Sequence, residues 1–236
     1  RPDILLGNWG LNSAFALLTG RPRELGGAVR PLSLLFNGDG DSDSGVCVLA
    51  YESVDGRMLP VHGRSELAPR IPWLAERFPT HRSLATSSVP QILGDRMPAF
   101  ETRECRWMSS LLLLNRGDHF RVQELPAEAQ LGPILSMASG DFDGDGRRDL
   151  YAAQGFFGSN FGIPRDDAGE GVFLMGNGDG TFEAIPSAAA GVRILGEQRS
   201  VLAGDVDGDG RTDLVLGIHG GPLTLLLNRD PGSGPR

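Results

Sequence analysis

Short apolar segments separated by acidic, glycine-rich turns dominate the second half of the chain. Four such segments flank two closely similar acidic stretches: residues 134–138, 150–154, 200–203 and 214–218. Apolar runs of this length, bounded by Gly, Asp and Asn, are typical of β-strands rather than helices. The pattern therefore predicts strands joined by tight acidic turns.

The two acidic stretches are copies of one repeat. Residues 139–150 (SGDFDGDGRRDL) recur 64 residues later as residues 203–214 (AGDVDGDGRTDL). A second motif, at residues 111–120, returns at 172–182 and begins again at 223–228. Each unit thus supplies about four strands in about 50 to 65 residues, which is the blade signature of a β-propeller.

Residues 65–97 break this rhythm and predict a helical insertion. Ser65 is a candidate N-cap, the apolar residues after it follow near-helical spacing, and Pro79 ends this first helical stretch. A second short helix is predicted over residues 89–93.

Together these patterns predict an all-β fold, namely a partial, open β-propeller of about four blade units with the helical insertion near residues 65–97. The blade units are expected at approximately 1–30, 31–130, 131–190 and 191–230, with a flexible tail at 231–236. Residues 2–9 have the character of a strand that follows an acidic loop, and no secretory signal precedes them. We therefore expect an internal fragment with exposed strand edges.

Each acidic loop places Asp at relative positions 1, 3, 5 and 9 and Gly at position 6. Calcium takes about six to eight oxygen ligands, and a tight loop with alternating carboxylates directs several of them at one point. The predicted ligands are Asp141, Asp143, Asp145, Asp149 and the Arg147 carbonyl in the first loop, and Asp205, Asp207, Asp209, Asp213 and the Arg211 carbonyl in the second. An EF-hand would need Glu at position 12, where Ala152 and Leu216 stand instead.

A third acidic loop is degraded. Asn37, Asp39, Asp41 and Asp43 align with the intact loops, but position 1 has become Asn and position 9 has become Gly45. Calcium binding here and an acidic turn without metal are both open interpretations of this loop.

These loops resemble the calcium loops of FG-GAP/VCBS repeat propellers, as found in integrin α-chains and in secreted bacterial proteins of the ASPIC/UnbV-associated kind. Further matching segments are GNWGLN at 7–12, RSEL at 64–67 through RFPT at 77–80, and LPAEAQ at 125–130. The name-giving Phe-Gly/Gly-Ala-Pro element survives only as FGIP at 161–164. The resemblance implies calcium loops between adjacent strands of a blade and, in general, no catalytic role.

Charge and composition exclude some classes of partner and of site. With 30 acidic and 22 basic residues the net charge is -8, which argues against nucleic acid as a ligand. The longest apolar runs are far shorter than the roughly 18 to 20 residues that a membrane span needs. Cys47 and Cys105 lack metal or redox spacing, and either a single disulfide or two buried free thiols is compatible with them.

Other candidate motifs carry less weight. None of the histidines forms an HxH or HExxH pair: His62, His81, His119 and His219. Residues 116–118 spell Arg-Gly-Asp, yet their alignment with hairpin turns elsewhere favours a strand-connecting turn. Trp9, Trp73 and Trp107 could stack on a sugar, but core packing is the favoured interpretation.

The sequence therefore predicts a calcium-binding propeller module of a secreted or cell-envelope protein, which mediates binding or adhesion and is not an enzyme. Expected partners are calcium, another protein or a glycan, and the remaining blades of a longer chain. One alternative is the propeller scaffold of a hydrolase that acts on glycans or phosphoesters. Another is a purely structural spacer, which would show no ligand-sized pocket.

Overall fold

The computed structural model describes residues 2–19, 31–37, 46–158, 165–185, 189–192 and 194–229. The described strands are β1 (Ile4–Leu6), β2 (Leu32–Asn37), β3 (Val46–Glu52), β4 (Met58–Pro60), β5 (Glu101–Cys105), β6 (Leu111–Asn115), β7 (Phe120–Glu124), β8 (Ile134–Gly140), β9 (Asp149–Gln154), β10 (Val172–Gly176), β11 (Phe182–Ile185), β12 (Gln198–Gly204), β13 (Asp213–Ile218) and β14 (Leu223–Leu226). The described α-helices are α1 (Ala14–Thr19), α2 (Arg64–Leu67), α3 (Pro72–Arg77), α4 (His81–Ala85) and α5 (Val89–Leu93), and short 3-10 helices span Gly94–Ala99 and Ala127–Gln130.

The chain divides into two compact units. Unit 1 combines Arg1–Ser13, Met108–Ser159 and Pro164–Arg236, and unit 2 combines Ala14–Trp107 and Asn160–Ile163. Among the described residues, unit 1 holds three sheets, with strand orders β1-β6-β7, β11-β10-β9-β8 and β12-β13-β14. The described part of unit 2 holds one sheet, with order β4-β3-β2-β5. All of these strand pairs are antiparallel, so the predicted mainly β character is confirmed.

The 64-residue repeat is reproduced in the strand pairing. Gly140 pairs with Asp149 at the loop end of β8 and β9, and Gly204 pairs with Asp213 at the loop end of β12 and β13. Both hairpins also shift register at the same place near the other end, between residues 134 and 136 and between residues 198 and 200. The equivalent sequences therefore form equivalent hairpins, down to one irregularity.

Strand β9 is buried on both faces of its sheet, since every one of its residues is buried. Leu150 and Ala152 pack with Leu112, Leu114 and Leu174 in one core. Tyr151 and Ala153, which alternate with them along the strand, pack with Ala138, Leu214 and Leu216 in a second core. A strand between two cores reads as a continuous apolar run, which is how residues 150–153 appear in the sequence.

Unit 2 packs helices against its sheet. Leu35 and Val48 of the sheet share a core with Leu74, Leu84 and Ile92 of the helices. The predicted helical insertion is confirmed by α2 to α5 and the 3-10 helix that follows, and the predicted helix at 89–93 is α5.

The capping residues of the insertion differ from the prediction. Ser65 lies inside α2, whose N-cap is Gly63, so the assignment of Ser65 as the N-cap is wrong. Thr80 and Ser88 instead cap α4 and α5, each through a reciprocal bond with the third residue of its helix. Their hydroxyl groups satisfy amides that the short helices leave free.

The sheets also group the strands differently from the predicted blade units. β1, from the first predicted unit, pairs with β6, from the second. The third and fourth predicted units contain β8 to β11 and β12 to β14, respectively. The blade boundaries and the blade number therefore stay predictions.

Cys47 and Cys105 are free and exposed, so the expectation of buried thiols is wrong. They flank β2 on opposite sides, where Cys47 pairs with Phe36 and Cys105 with Leu32. Because neighbouring strands lie about 4.8 Å apart, two residues on opposite sides of β2 are farther apart than the roughly 7 Å between Cα atoms that a disulfide allows, so the disulfide alternative is also wrong. Among the described residues no helix is long and apolar enough to cross a membrane.

Candidate metal sites

Each intact acidic loop joins the two strands of a hairpin. The first loop runs from Asp141 to Asp149 between β8 and β9, and the second from Asp205 to Asp213 between β12 and β13. Since both hairpins have the same register, the loops begin and end at the same positions relative to their sheets.

The first aspartate of each loop holds the turn. In the first loop, Asp141 accepts hydrogen bonds from the backbone amides of Gly144 and Gly146 at 2.8 and 2.9 Å. Both glycines have positive φ, near 80°, which other residues adopt at a steric cost. Asp205 makes the equivalent bonds to Gly208 and Gly210 at 2.7 and 2.9 Å.

The fifth-position aspartates bind the backbone two residues later. Asp145 accepts from the amide of Arg147 at 2.8 Å, and Asp209 accepts from the amide of Arg211 at 3.0 Å. The amide of Arg147 lowers the pKa of Asp145, and the Arg147 side chain adds to this effect. Asp145 is therefore ionised at neutral pH.

The ninth-position aspartates are buried and fasten each loop to the sheet. Asp149 accepts one hydrogen bond from the amide of Phe142, at the start of the loop, and one from the amide of Gly176, on β10. Their lengths are 2.9 and 2.8 Å. Each carboxylate oxygen of Asp149 thus satisfies a different strand or loop segment.

Asp213 repeats this arrangement in the second loop. It accepts from the amides of Val206 and Asn228, each at 2.8 Å, and is also buried. Burial opposes ionisation of Asp213, but the amide donors, that of Asn228 first, outweigh it and lower the pKa of this carboxyl.

Three carboxylates converge in each loop. In the first loop the converging side chains are Asp141, Asp143 and Asp149, and in the second loop they are Asp205, Asp207 and Asp209. One oxygen from each member lies within 4.8 Å of those of the other two. A donor set of several carboxylate oxygens suits calcium, which prefers hard oxygen ligands, so the residues fit this ion.

The convergence differs from the predicted four-acid sets. Asp145 lies outside the first group and forms an ion pair with the guanidinium of Arg147. Asp213 lies outside the second group. The predicted roles of the Arg147 and Arg211 carbonyls stay predictions.

One cation near the second loop was not predicted. Nη1 of Arg229 lies 3.0 Å from Oδ2 of Asp207 and 3.9 Å from Oδ2 of Asp209. Arg229 directly follows residues 223–228, where the second motif begins for the third time, and lies outside both acidic stretches. No signal within the loop sequences could have identified it.

The third, degraded loop is only partly described. Asn37 ends β2, and its Oδ1 accepts a hydrogen bond of 3.0 Å from the amide of Val46. Asp39, Asp41 and Asp43 lie outside the described residues, as do residues 161–164 with the FGIP segment.

The rejected motifs behave mostly as predicted. Residues 116–118 lie in the turn between β6 and β7, where the amide of Arg116 bonds the carbonyl of His119. Trp73 packs against the core of unit 2. The rings of Trp9 and Phe156 meet edge to face, with 5.2 Å between their centroids. Trp107 is 48% exposed, so the core assignment is wrong for this residue.

The histidines show no metal cluster in the described part of the chain. His62 contacts Glu66, and His119 contacts Asp118, each at 2.7 Å. These are local pairs of neighbouring side chains rather than convergent ligands.

A comparison with family models places the two acidic loops in one family. Residues 141–216 match the family described as the FG-GAP-like repeat. The matched segment begins at the first aspartate of the first loop and extends past the last aspartate of the second. No curated protein matches the chain. The predicted resemblance to FG-GAP repeats is confirmed over residues 141–216.

Proposed function

We propose that this chain is a calcium-binding β-propeller module of a secreted or cell-envelope protein that mediates binding or adhesion. The observation that carries the proposal is the convergence of three carboxylates in each of two equivalent loops. The FG-GAP-like repeat spans both loops and supports the same assignment.

The way the loops are built also supports a metal role. Asp141 and Asp205 each bind two glycine amides of their own loop, which fixes the turn. Three carboxylates held this close repel one another, and a divalent cation offsets that repulsion. These backbone hydrogen bonds order the loop before calcium binds, which reduces the entropic cost of binding.

The packing of unit 1 supports the propeller assignment. Ala138 of β8 lies in the core shared with β12 to β14, whereas its repeat equivalent, Leu202 of β12, is 72% exposed. On β14, at the other edge of the same sheet, Leu223 and Leu225 are also exposed, at 75% and 48%. The same face is thus buried in the sheet of β8 to β11 and exposed in the sheet of β12 to β14. A further blade of a longer chain, packed against β12 to β14, would cover it.

Binding is favoured over a purely structural spacer by the cavities of unit 1. One cavity of about 640 Å³ is lined by Phe142, Asp143, Phe173 and Arg229, among others. Its volume lies within the roughly 300 to 1,000 Å³ typical of small-ligand sites. Another protein or a glycan is the proposed partner, and the cavity would take a small apolar part of it.

A hydrolase is the less favoured alternative. Catalysis by paired carboxylates needs acids that are free to exchange protons. The converging acids among the described residues are those of the two loops, and most of them accept backbone hydrogen bonds there.

The proposed location outside the cytoplasm follows from the need of such loops for about millimolar calcium.

Calorimetric titration with calcium tests the proposal. We expect two ions per chain with dissociation constants of about 10⁻⁴ to 10⁻³ M. Asp141→Asn and Asp205→Asn should each remove one ion, and Asp43→Ala should remove none. The proposal fails if the wild-type chain takes up no calcium, or if its melting temperature is the same in chelator and in calcium.

A further inference from the structure

The two loops differ in where an arginine contacts them. In the first loop, the guanidinium of Arg147 pairs with Asp145, which stands outside the three converging carboxylates. In the second loop, the guanidinium of Arg229 lies beside Asp207 and Asp209, which are both members of the converging group. An arginine thus pairs with an aspartate outside the converging group in the first loop, and with members of the converging group in the second.

Arg229 is held at this place by the residue before it. The backbone amide of Asn228 donates to Asp213 at 2.8 Å, and the side chain of Asn228 donates to the carbonyl of Phe142 at 2.7 Å. These two bonds fix the backbone directly beside Arg229. The guanidinium is therefore tethered near Asp207 at a high local concentration.

We propose that Arg229 competes with calcium for the carboxylates of the second loop and weakens calcium binding there. The inference rests on the proposed calcium function. A cation at the second loop must be bound by Asp207, whose Oδ2 already lies 3.0 Å from Nη1 of Arg229. Calcium uptake there must break this ion pair, whereas uptake at the first loop can leave the pair of Arg147 and Asp145 intact.

The size of the effect follows from exposure. The Arg229 side chain is 55% exposed and that of Asp207 is 27% exposed, so solvent weakens the pair. Partly exposed pairs contribute little, and their loss changes an equilibrium by about two- to fivefold. We therefore expect a modest and measurable difference in affinity, which shrinks as salt screens the pair.

Calcium titration of single-site backgrounds tests the inference. Asp141→Asn leaves only the second loop, and adding Arg229→Gln should tighten its calcium binding about threefold. Asp205→Asn leaves only the first loop, and adding Arg147→Gln is the matched control, with a smaller change expected. Arg229→Lys keeps the charge and should stay nearer to the wild type than Arg229→Gln.

The controls separate this inference from the function on which it rests. Arg106→Gln removes an exposed arginine paired with Glu104 and measures the effect of net charge alone. The inference is overturned if Arg229→Gln leaves the second loop unchanged or weaker, or if Arg106→Gln tightens it equally. Those outcomes leave the calcium proposal standing as long as the wild type still binds two ions. Binding of no ions by the wild type overturns both.

Discussion

Asp3 accepts a hydrogen bond of 2.7 Å at its Oδ1 from the backbone amide of Asn115, 112 residues away. This bond joins the start of β1 to the end of β6. The two ninth-position aspartates make the same kind of bond, Asp149 to Gly176 and Asp213 to Asn228. Asp3 therefore has the same position in its strand pair as these aspartates have in theirs. The same aspartate-to-amide hydrogen bond links two strands in each of the three sheets.

The first prediction concerns this fastening. Asp3→Ala should lower the free energy of unfolding by about 1 kcal/mol, because it removes one charge-assisted bond at an exposed position. Urea unfolding in chelator measures the change. A loss above about 3 kcal/mol would show that Asp3 contributes more than this one bond.

The second prediction tests whether Asp149 stabilises the fold in addition to its proposed role in metal binding. Asp149→Ala leaves the amides of Phe142 and Gly176 without their acceptor at a buried site, so it should cost about 2 to 4 kcal/mol even in chelator. Asp143→Ala loses one exposed bond, to the amide of Asp145, and should cost less than about 1 kcal/mol.

Both variants should also weaken calcium binding at the first loop. Unfolding curves in chelator and in calcium therefore have to be compared for each variant. If Asp149→Ala is as stable as Asp143→Ala in chelator, the structural role assigned to Asp149 is wrong.

The local elements of this fold could be predicted because their signals lie within short windows. The hairpins around the acidic loops follow from apolar runs on both sides of a glycine-rich turn. The helix α5 follows from a serine cap and a proline in its first turn. The 64-residue repeat strengthens the prediction of these hairpins, because the same pattern occurs in both copies.

Pairings between distant segments could not be predicted in the same way. β1 has three residues, and its pairing with β6 depends on packing that no local pattern records. The same limit applies to Asp149, whose partner Gly176 is 27 residues away, and to Arg229, which reaches the second loop only through the course of β14. Residue type and spacing predicted the acids as metal ligands, but only the fold shows which of them also accept hydrogen bonds from the backbone.

The third prediction concerns the exposed face of β12. Leu202→Arg should reduce self-association of the chain, because it places a charge on an apolar face that has no cover among the described residues. The free energy of unfolding should change by less than about 0.5 kcal/mol, since the side chain is 72% exposed. Sedimentation velocity at several concentrations measures the association.

Val54→Arg is the matched control for this experiment. Val54 is 87% exposed in the turn between β3 and β4 and belongs to no strand. If Val54→Arg reduces self-association as much as Leu202→Arg, the added charge rather than the sheet face is responsible, and the assignment of this face fails.

The fourth prediction uses the buried hydroxyl group of Tyr151, which donates a hydrogen bond of 2.8 Å to Oε1 of Gln198. Burial raises the pKa of Tyr151 to about 12, although the bond to Gln198 acts in the opposite direction. A tyrosine in the unfolded chain ionises near pH 10. Ionisation therefore favours the unfolded chain in the window between about pH 10 and 12, and stability is lost as the pH rises through it.

The loss should approach about 1.4 kcal/mol per pH unit within this window. The chain contains two tyrosines, two cysteines and no lysine. Burial also raises the pKa of the Cys47 thiol, so the comparison is made in a Cys47→Ser background. Tyr151→Phe should be less stable than the wild type at pH 8 by about 1 kcal/mol, because Gln198 loses its donor. Its stability should then fall less steeply between pH 10 and 11, so that the two curves converge. Urea unfolding at pH 8, 9, 10 and 11 checks this, and an unchanged slope in Tyr151→Phe, or a slope removed by Tyr51→Phe instead, would contradict the assignment to Tyr151.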